Sequence, residues 1–281
     1  MFKKQFLVIG SVVLLMAVLL SLDIKGLVKP KEPQGAANSG AESMAPAAAT
    51  VSLEQVSATA KQDLNANLAQ QVTDLENSLK DASASEKTGF QQKLAALWDD
   101  VNKPAPAAFY YEAIADKNST YDNWIKTGDH FTDAYQNTND SLSQPALVQK
   151  AIFAYQKALE LNTNSLDAKT GLGVAYVSGT PNPMQGIQLL LGVVKEDPNN
   201  IKANMNLGLF SMKSGQFDKA VNRFKTVVAQ KADPEAWFYL ASSYENQGLK
   251  EEAIAAYLKS KELAADPSLG QFVDRKIKEL K

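Results

Sequence analysis

The sequence predicts an all-α chain: stacked helical hairpins carried behind a single N-terminal transmembrane helix and a long amphipathic helix. Three observations predict it. Residues 6–22 form an uncharged apolar run, one apolar stripe recurs every three or four residues through 53–79, and the chain from about residue 84 repeats itself with a period of 33 to 35 residues. Composition excludes other classes. With no Cys among 281 residues there is no material for disulfides, iron–sulfur clusters, thiolate zinc sites, a cysteine nucleophile or a lipid-bearing cysteine. The 29 Lys and Arg are balanced by 31 Asp and Glu, and Arg223 and Arg275 are the only arginines, so no nucleic-acid partner is expected of a surface without clustered cations.

Behind a tail at 1–5, the run Phe6–Leu22 would span about 25 Å as a helix, close to the hydrocarbon thickness of a bilayer. A cleavable signal peptide with Lys3 and Lys4 as its basic region is the competing reading, but Ser21-Leu22-Asp23-Ile24-Lys25 offers no small-x-small cleavage site. The expectation is therefore a single-pass membrane protein. Lys3, Lys4 and the amino group on one side are matched by Lys25, Lys29 and Lys31 on the other, so the charge rule ties. A short inner tail is the more usual route, which in a bacterium puts the following domain in the periplasm.

Residues 23–50, rich in Pro, Ala, Ser, Gly and Asn, have little to bury against their ordering entropy and read as a flexible linker. Over 51–83, Leu53, Val56, Ala60, Leu64, Leu68, Val72, Leu75 and Leu79 lay one stripe along a helix of about thirty residues. That helix either packs on the domain behind it or zips two copies into a homo-oligomer through 53–80 as a coiled coil.

The repeats span 84–266. In the last copy Trp237, Leu240, Ala241, Tyr244, Gly248, Ala253 and Tyr257 recur at fixed steps, and Leu207, Gly208, Ser211, Gly215, Ala220 and Phe224 precede their counterparts by 33 positions. Upstream copies carry Leu172, Gly173, Tyr176, Gly186 and Leu190; then Trp124, Gly128, Phe131, Ala151 and Tyr155; then Leu94, Ala95, Trp98, Ala107 and Tyr111. The first two are irregular: Pro104 and Pro106 replace the inter-helix glycine, and an eleven-residue excess runs from Ala134 to about Pro145. Unit positions 4, 7, 8 and 11 share one face of a first helix, and positions 20, 24 and 27 one face of a second. Glycine inside a helix costs about 1 kcal/mol relative to alanine, so Gly128, Gly173 and Gly208 at one repeated position imply close packing. Gly215 and Gly248 stand where a left-handed cap residue ends the first helix. Such a hairpin cannot cover its own apolar face, and stacking covers it. At 267–281, Leu269, Phe272, Val273, Ile277 and Leu280 form a capping helix.

These residues resemble the tetratricopeptide repeat (TPR) family and its W-x2-L-G-x2-Y…A-x3-F…P signature, with bacterial membrane-anchored TPR proteins as the nearest type. The resemblance implies a TPR superhelix whose first helices line a concave groove for a protein or peptide partner. Groove positions then fall on Lys202, Met205, Asn206, Leu209 and Met212, and on Glu235, Phe238, Tyr239 and Ser242, although Phe238 and Tyr239 would equally serve by packing on neighbouring helices. Some members clamp a C-terminal carboxylate with Lys, Asn and Arg. Here Asn206 matches, but Thr170, Val174, Glu235 and Tyr239 do not, so recognition of a chaperone tail by that clamp is not expected.

No catalytic residue, cofactor or metal site is expected. His130 has no second imidazole or thiolate with which to hold zinc. No nucleophile elbow, phosphate loop or H-E-x-x-H pair occurs. Asp99-Asp100 and Glu251-Glu252 are adjacent on helices, do not face one point, and read as solvated charge. The polar stretch Asn137–Ser141 lacks the turn glycine and closing Glu of a calcium loop. It contains the acceptor-like triplet Asn139-Asp140-Ser141, and Asn118-Ser119-Thr120 is another. Two functions remain: a membrane-anchored adaptor or scaffold whose groove takes a protein segment, as in assembly of an envelope complex, and a structural element that oligomerises through 53–80.

Overall fold

The computed structural model describes residues 51–264 and 266–281. The tail, the membrane segment expected at 6–22 and the linker at 23–50 lie outside the described residues. Among the described residues the secondary structure is thirteen α-helices, and none of them is long and apolar enough to cross a membrane.

Two helices, α1 (Leu53–Lys61) and α2 (Ala66–Asp81), stand where one long helix was expected over 51–83. Ser52 opens α1 through a reciprocal capping box with Gln55. Asn65 then starts a new N-terminus by accepting a 2.9 Å hydrogen bond from the Leu68 amide. The stripe hides this break because Leu64, inside it, still packs with Leu53, Leu75 and Leu79 against Leu94, Trp98 and Tyr110. α1 and α2 are tied together by Glu76, which accepts from Ser57 at 2.5 Å and Lys61 at 2.7 Å. The stripe is covered within the chain by the next two helices, α3 (Lys87–Asp100) and α4 (Pro104–Lys117).

The hairpins follow in order: α3 with α4, α5 (Tyr121–Asn137) with α6 (Gln144–Leu161), α7 (Leu166–Gly179) with α8 (Pro183–Glu196), α9 (Ile201–Lys213) with α10 (Phe217–Gln230), and α11 (Pro234–Asn246) with α12 (Lys250–Leu263). α13 (Pro267–Leu280) closes the row. First helices from α5 onward start on a side chain that accepts a backbone N–H: Thr120, Ser165, Asn200, Asp233 and Asp266. Second helices start differently, with Pro in the first turn of α4, α6 and α8, and after Gly215 (φ +72°) and Gly248 (φ +75°) for α10 and α12. In the first hairpin Asn102 (φ +53°) occupies the same place in the unit, which explains how it turns without the glycine.

The eleven-residue excess is mostly helix. It lengthens α5 through Asn137 and brings α6 forward to Gln144, because Ala134, Tyr135, Leu147 and Val148 are buried and reward the extra turns. Only 138–143 connect them.

At the repeated glycine the helices approach closely. A Cβ on Gly128 or Gly208 would stand 2.7 Å from the ring of Tyr155 or Phe224, and one on Gly173 would stand 2.9 Å from Leu190. Consecutive first helices α5, α7, α9 and α11 touch one another. Between the second helices α8 and α10, by contrast, lies a cleft of about 480 Å³ with Ile187, Leu191, Val194 and Arg223 in its walls. The first helices therefore line the inner side of the stack.

Candidate partner groove

On α9 the buried face is Ala203, Asn204, Leu207 and Gly208, turned to the neighbouring hairpin helices. Lys202, Met205, Asn206, Leu209 and Met212 fall on the remaining arc. Lys202 is exposed and the other four are half-buried, with Met205, Leu209 and Met212 resting on the core around Val221, Phe224 and Leu240. Asn206 donates from Nδ2 to the Lys202 carbonyl at 2.8 Å, which holds its amide along the helix. On α11, Glu235 is exposed while Phe238, Tyr239 and Ser242 are half-buried.

Phe238 and Tyr239 are tied into an aromatic row. Tyr239 stacks on Phe224 at 5.6 Å between centroids, and Phe238 meets Tyr257 at 5.6 Å, Phe272 at 5.7 Å and Tyr239 at 5.9 Å. Burial, then the Glu235 carboxylate beside it, pushes the Tyr239 phenol up from its ordinary value. Neither α1 nor α2 packs onto α9 or α11, so among the described residues their exposed inner arc is left to solvent. Thr170 is buried and donates to the Leu166 carbonyl, and Val174 is buried against Leu190 and Leu207, so neither offers a group to a carboxylate. Asn204 stands where other copies carry Trp; it donates to the Pro198 and Asn200 carbonyls and accepts from Arg223, which satisfies a buried amide.

Two polar joints were not foreseen. Asp99, read as solvated, accepts from the Tyr111 hydroxyl at 2.5 Å and meets His130 Nε2 at 2.9 Å. Glu245 accepts from the Tyr257 hydroxyl at 2.7 Å and from Lys276 at 2.9 Å. Tyr111 and His130 follow Asp99 by 12 and 31 positions, and Tyr257 and Lys276 follow Glu245 by the same 12 and 31. The pattern is thus one device, used where α3 meets α5 and where α11 meets α13. Its signal lay in the repeat register, as an acid at unit position 12 and a cation at position 10 of the next unit.

Burial works to raise the Glu245 carboxyl, but hydrogen bonds from Lys276 and Tyr257 outweigh it and hold it below the usual carboxylate range. A depressed folded value means that its contribution is complete above the unfolded carboxylate pKa, about 4.3, and is lost as pH falls through the folded one. Glu245→Gln should therefore cost on the order of 1 kcal/mol at pH 7. In urea unfolding the gap between variant and wild type should narrow as pH falls below about 4.3; a deficit that stays the same size would mean that the carboxylate charge is not what matters.

Residues 205–268 match the tetratricopeptide repeat family model. No curated protein sequence matches the chain. Among solved structures, a crystal structure of MamA aligns at 21% identity over 64% of this chain and 92% of its own, with a TM-score of 0.46. A crystal structure of YrrB, a TPR protein with an unusual peptide-binding site, aligns at 18% identity over 72% and 97%, with a TM-score of 0.44. The family match falls on the hairpins in which Gly208 packs on Phe224 and Gly215 and Gly248 take left-handed turns, so residues 205–268 carry tetratricopeptide repeats.

Proposed function

We propose that this protein is a membrane-anchored adaptor: residues 6–22 hold it in the membrane, 23–50 tether the stack, and the inner face of α9 and α11 takes an extended segment of a partner protein. The observation that carries this reading is the arc of α9, where half-exposed Met205, Leu209 and Met212 share the surface with Lys202 and Asn206 and pack in one cluster with Phe238 and Tyr239 of α11. Flexible thioethers beside a few polar groups give apolar contact area that adapts to side chains, with hydrogen bonding along the edge. A periplasmic face and a role in assembling an envelope complex complete the proposal.

The test places a photo-crosslinking residue at position 206 or 209, on the inner face, or at position 258 on α12, where Leu258 is exposed. In native membranes one protein should be captured from 206 and 209 and not from 258. A second variant, Leu209→Gln with circular dichroism matching wild type, should reduce capture from 206 about tenfold, as expected for losing one apolar anchor. Equal capture from both faces would refute a groove-bound partner, and recovery of the chain alone would favour self-association.

A further inference from the structure

The single histidine has both ring nitrogens at hydrogen-bond distance from oxygens. His130 Nε2 is 2.9 Å from Asp99 Oδ1, and its Nδ1 is 2.8 Å from the Lys126 carbonyl oxygen. Both partners are acceptors: the carbonyl has no proton to give, and the Asp99 carboxylate is already accepting from Tyr111 on its other oxygen. Neutral imidazole has one N–H and one lone pair, so it would turn a lone pair toward an oxygen at hydrogen-bond distance. The imidazolium donates from both nitrogens.

The surroundings match a cation. Asp99 and Asp100 face the site from α3, and Tyr111 on α4 lies against the ring at 4.5 Å between centroids. From α5 itself come Asp129, Asp133 and Lys126, the last with Nζ 4.0 Å over the Tyr111 ring. On α6 the Tyr155 hydroxyl donates to Asp129, and on α7 Lys169 is paired with Glu196. At the far end of the stack the register position of His130 is filled by Lys276, and the partner and tyrosine are the same in kind.

We propose that the joint between the first two hairpins is proton-dependent, closed by the His130 imidazolium and loosened when the ring gives up its proton, while the Lys276 joint stays closed over the same range. Imidazole is the side chain that changes charge between about pH 5 and 8. The sign follows: protection of α3 and α4 is present at the lower pH and lost as pH rises. Hydrogen exchange on the full-length chain at about pH 5.5 and 8, corrected for intrinsic exchange chemistry, reads this element by element. Opening of α3 and α4 should increase roughly tenfold at the higher pH, the size of one charge-assisted hydrogen bond, with α9 and α10 nearly unchanged. His130→Lys should abolish the dependence. Lys276→His should transfer it to α12 and α13, an outcome that stands even if the first variant fails to fold. Equal protection of wild-type α3 and α4 at both pH values, the same pH response in His130→Lys, or no response at α13 in Lys276→His would each overturn the proposal.

Discussion

Tyr155→Ala should destabilise the stack by about 3–5 kcal/mol, the cost of emptying a site filled by a buried aromatic ring. Tyr155 is 2% exposed, and its ring lies against Gly128 on α5 and Gly171 on α7, so one side chain of α6 fills the space left by two successive first helices. Its hydroxyl donates to Asp129 at 2.9 Å and is 3.0 Å from the Thr132 hydroxyl. Burial first, and Asp129 next, push its phenol well above the ordinary value, so the neutral donor is the form that holds. Tyr155→Phe keeps the ring and loses only the hydroxyl, and should cost about 1 kcal/mol. Urea unfolding separates the two. If alanine and phenylalanine shift the midpoint equally, the ring is not what joins the second and third hairpins.

Gly208→Trp is the second large effect. A Cβ alone would stand 2.7 Å from Phe224 Cε1 and Cζ, and Phe224 cannot retreat because it is fully buried and stacked on Tyr239. Overfilling a packed core costs about 1–3 kcal/mol when neighbours can shift, and an indole at a helix–helix contact lies at or above that limit. Stacked repeats depend mainly on their neighbours, so α9 to α12 should open while α3 to α6 keep their protection. Gly192 on α8 supplies the control, since nothing lies within 4 Å of a Cβ built there. Gly192→Trp should leave the unfolding midpoint within about 0.5 kcal/mol of wild type. A Gly208→Trp protein that melts like the Gly192 variant would refute the close approach of α9 and α10.

Those two glycine sites show what was legible in the sequence. A small residue at one unit position, with an aromatic sixteen residues on in the last two copies (Gly208 with Phe224, Ala241 with Tyr257), states a local fact: two helices of one hairpin meet where neither has a side chain to spare. Gly215 and Gly248 were legible for the same reason, because a left-handed turn is a property of a single residue. The break before Asn65 was hidden because Leu64 keeps the apolar rhythm while the backbone hydrogen bonds change. Asp99 was misread because one of its partners, His130, is in the next hairpin, and a periodicity tells which face a residue is on without telling what that face meets. The groove lay between these cases. The arc of Met205, Leu209 and Met212 followed from register, whereas the row joining Phe238 to Phe272 depends on how closely α13 caps α11.

The polar joints have a mechanical side. Among the described residues, ion pairs between a helix of one hairpin and a helix of the next unit occur at the two ends: Asp99 with His130 and Glu112 with Lys150 at the first joint, Glu245 with Lys276 and Lys261 with Asp274 at the last; the pair in between, Lys231 with Asp233, lies in the connection from α10 to α11. Charged hydrogen bonds prescribe an angle and a length, while apolar contact is non-directional and tolerates small sliding. The row therefore resembles a spring with clamped ends and a compliant middle, and the compliant part is where α9 presents its methionines.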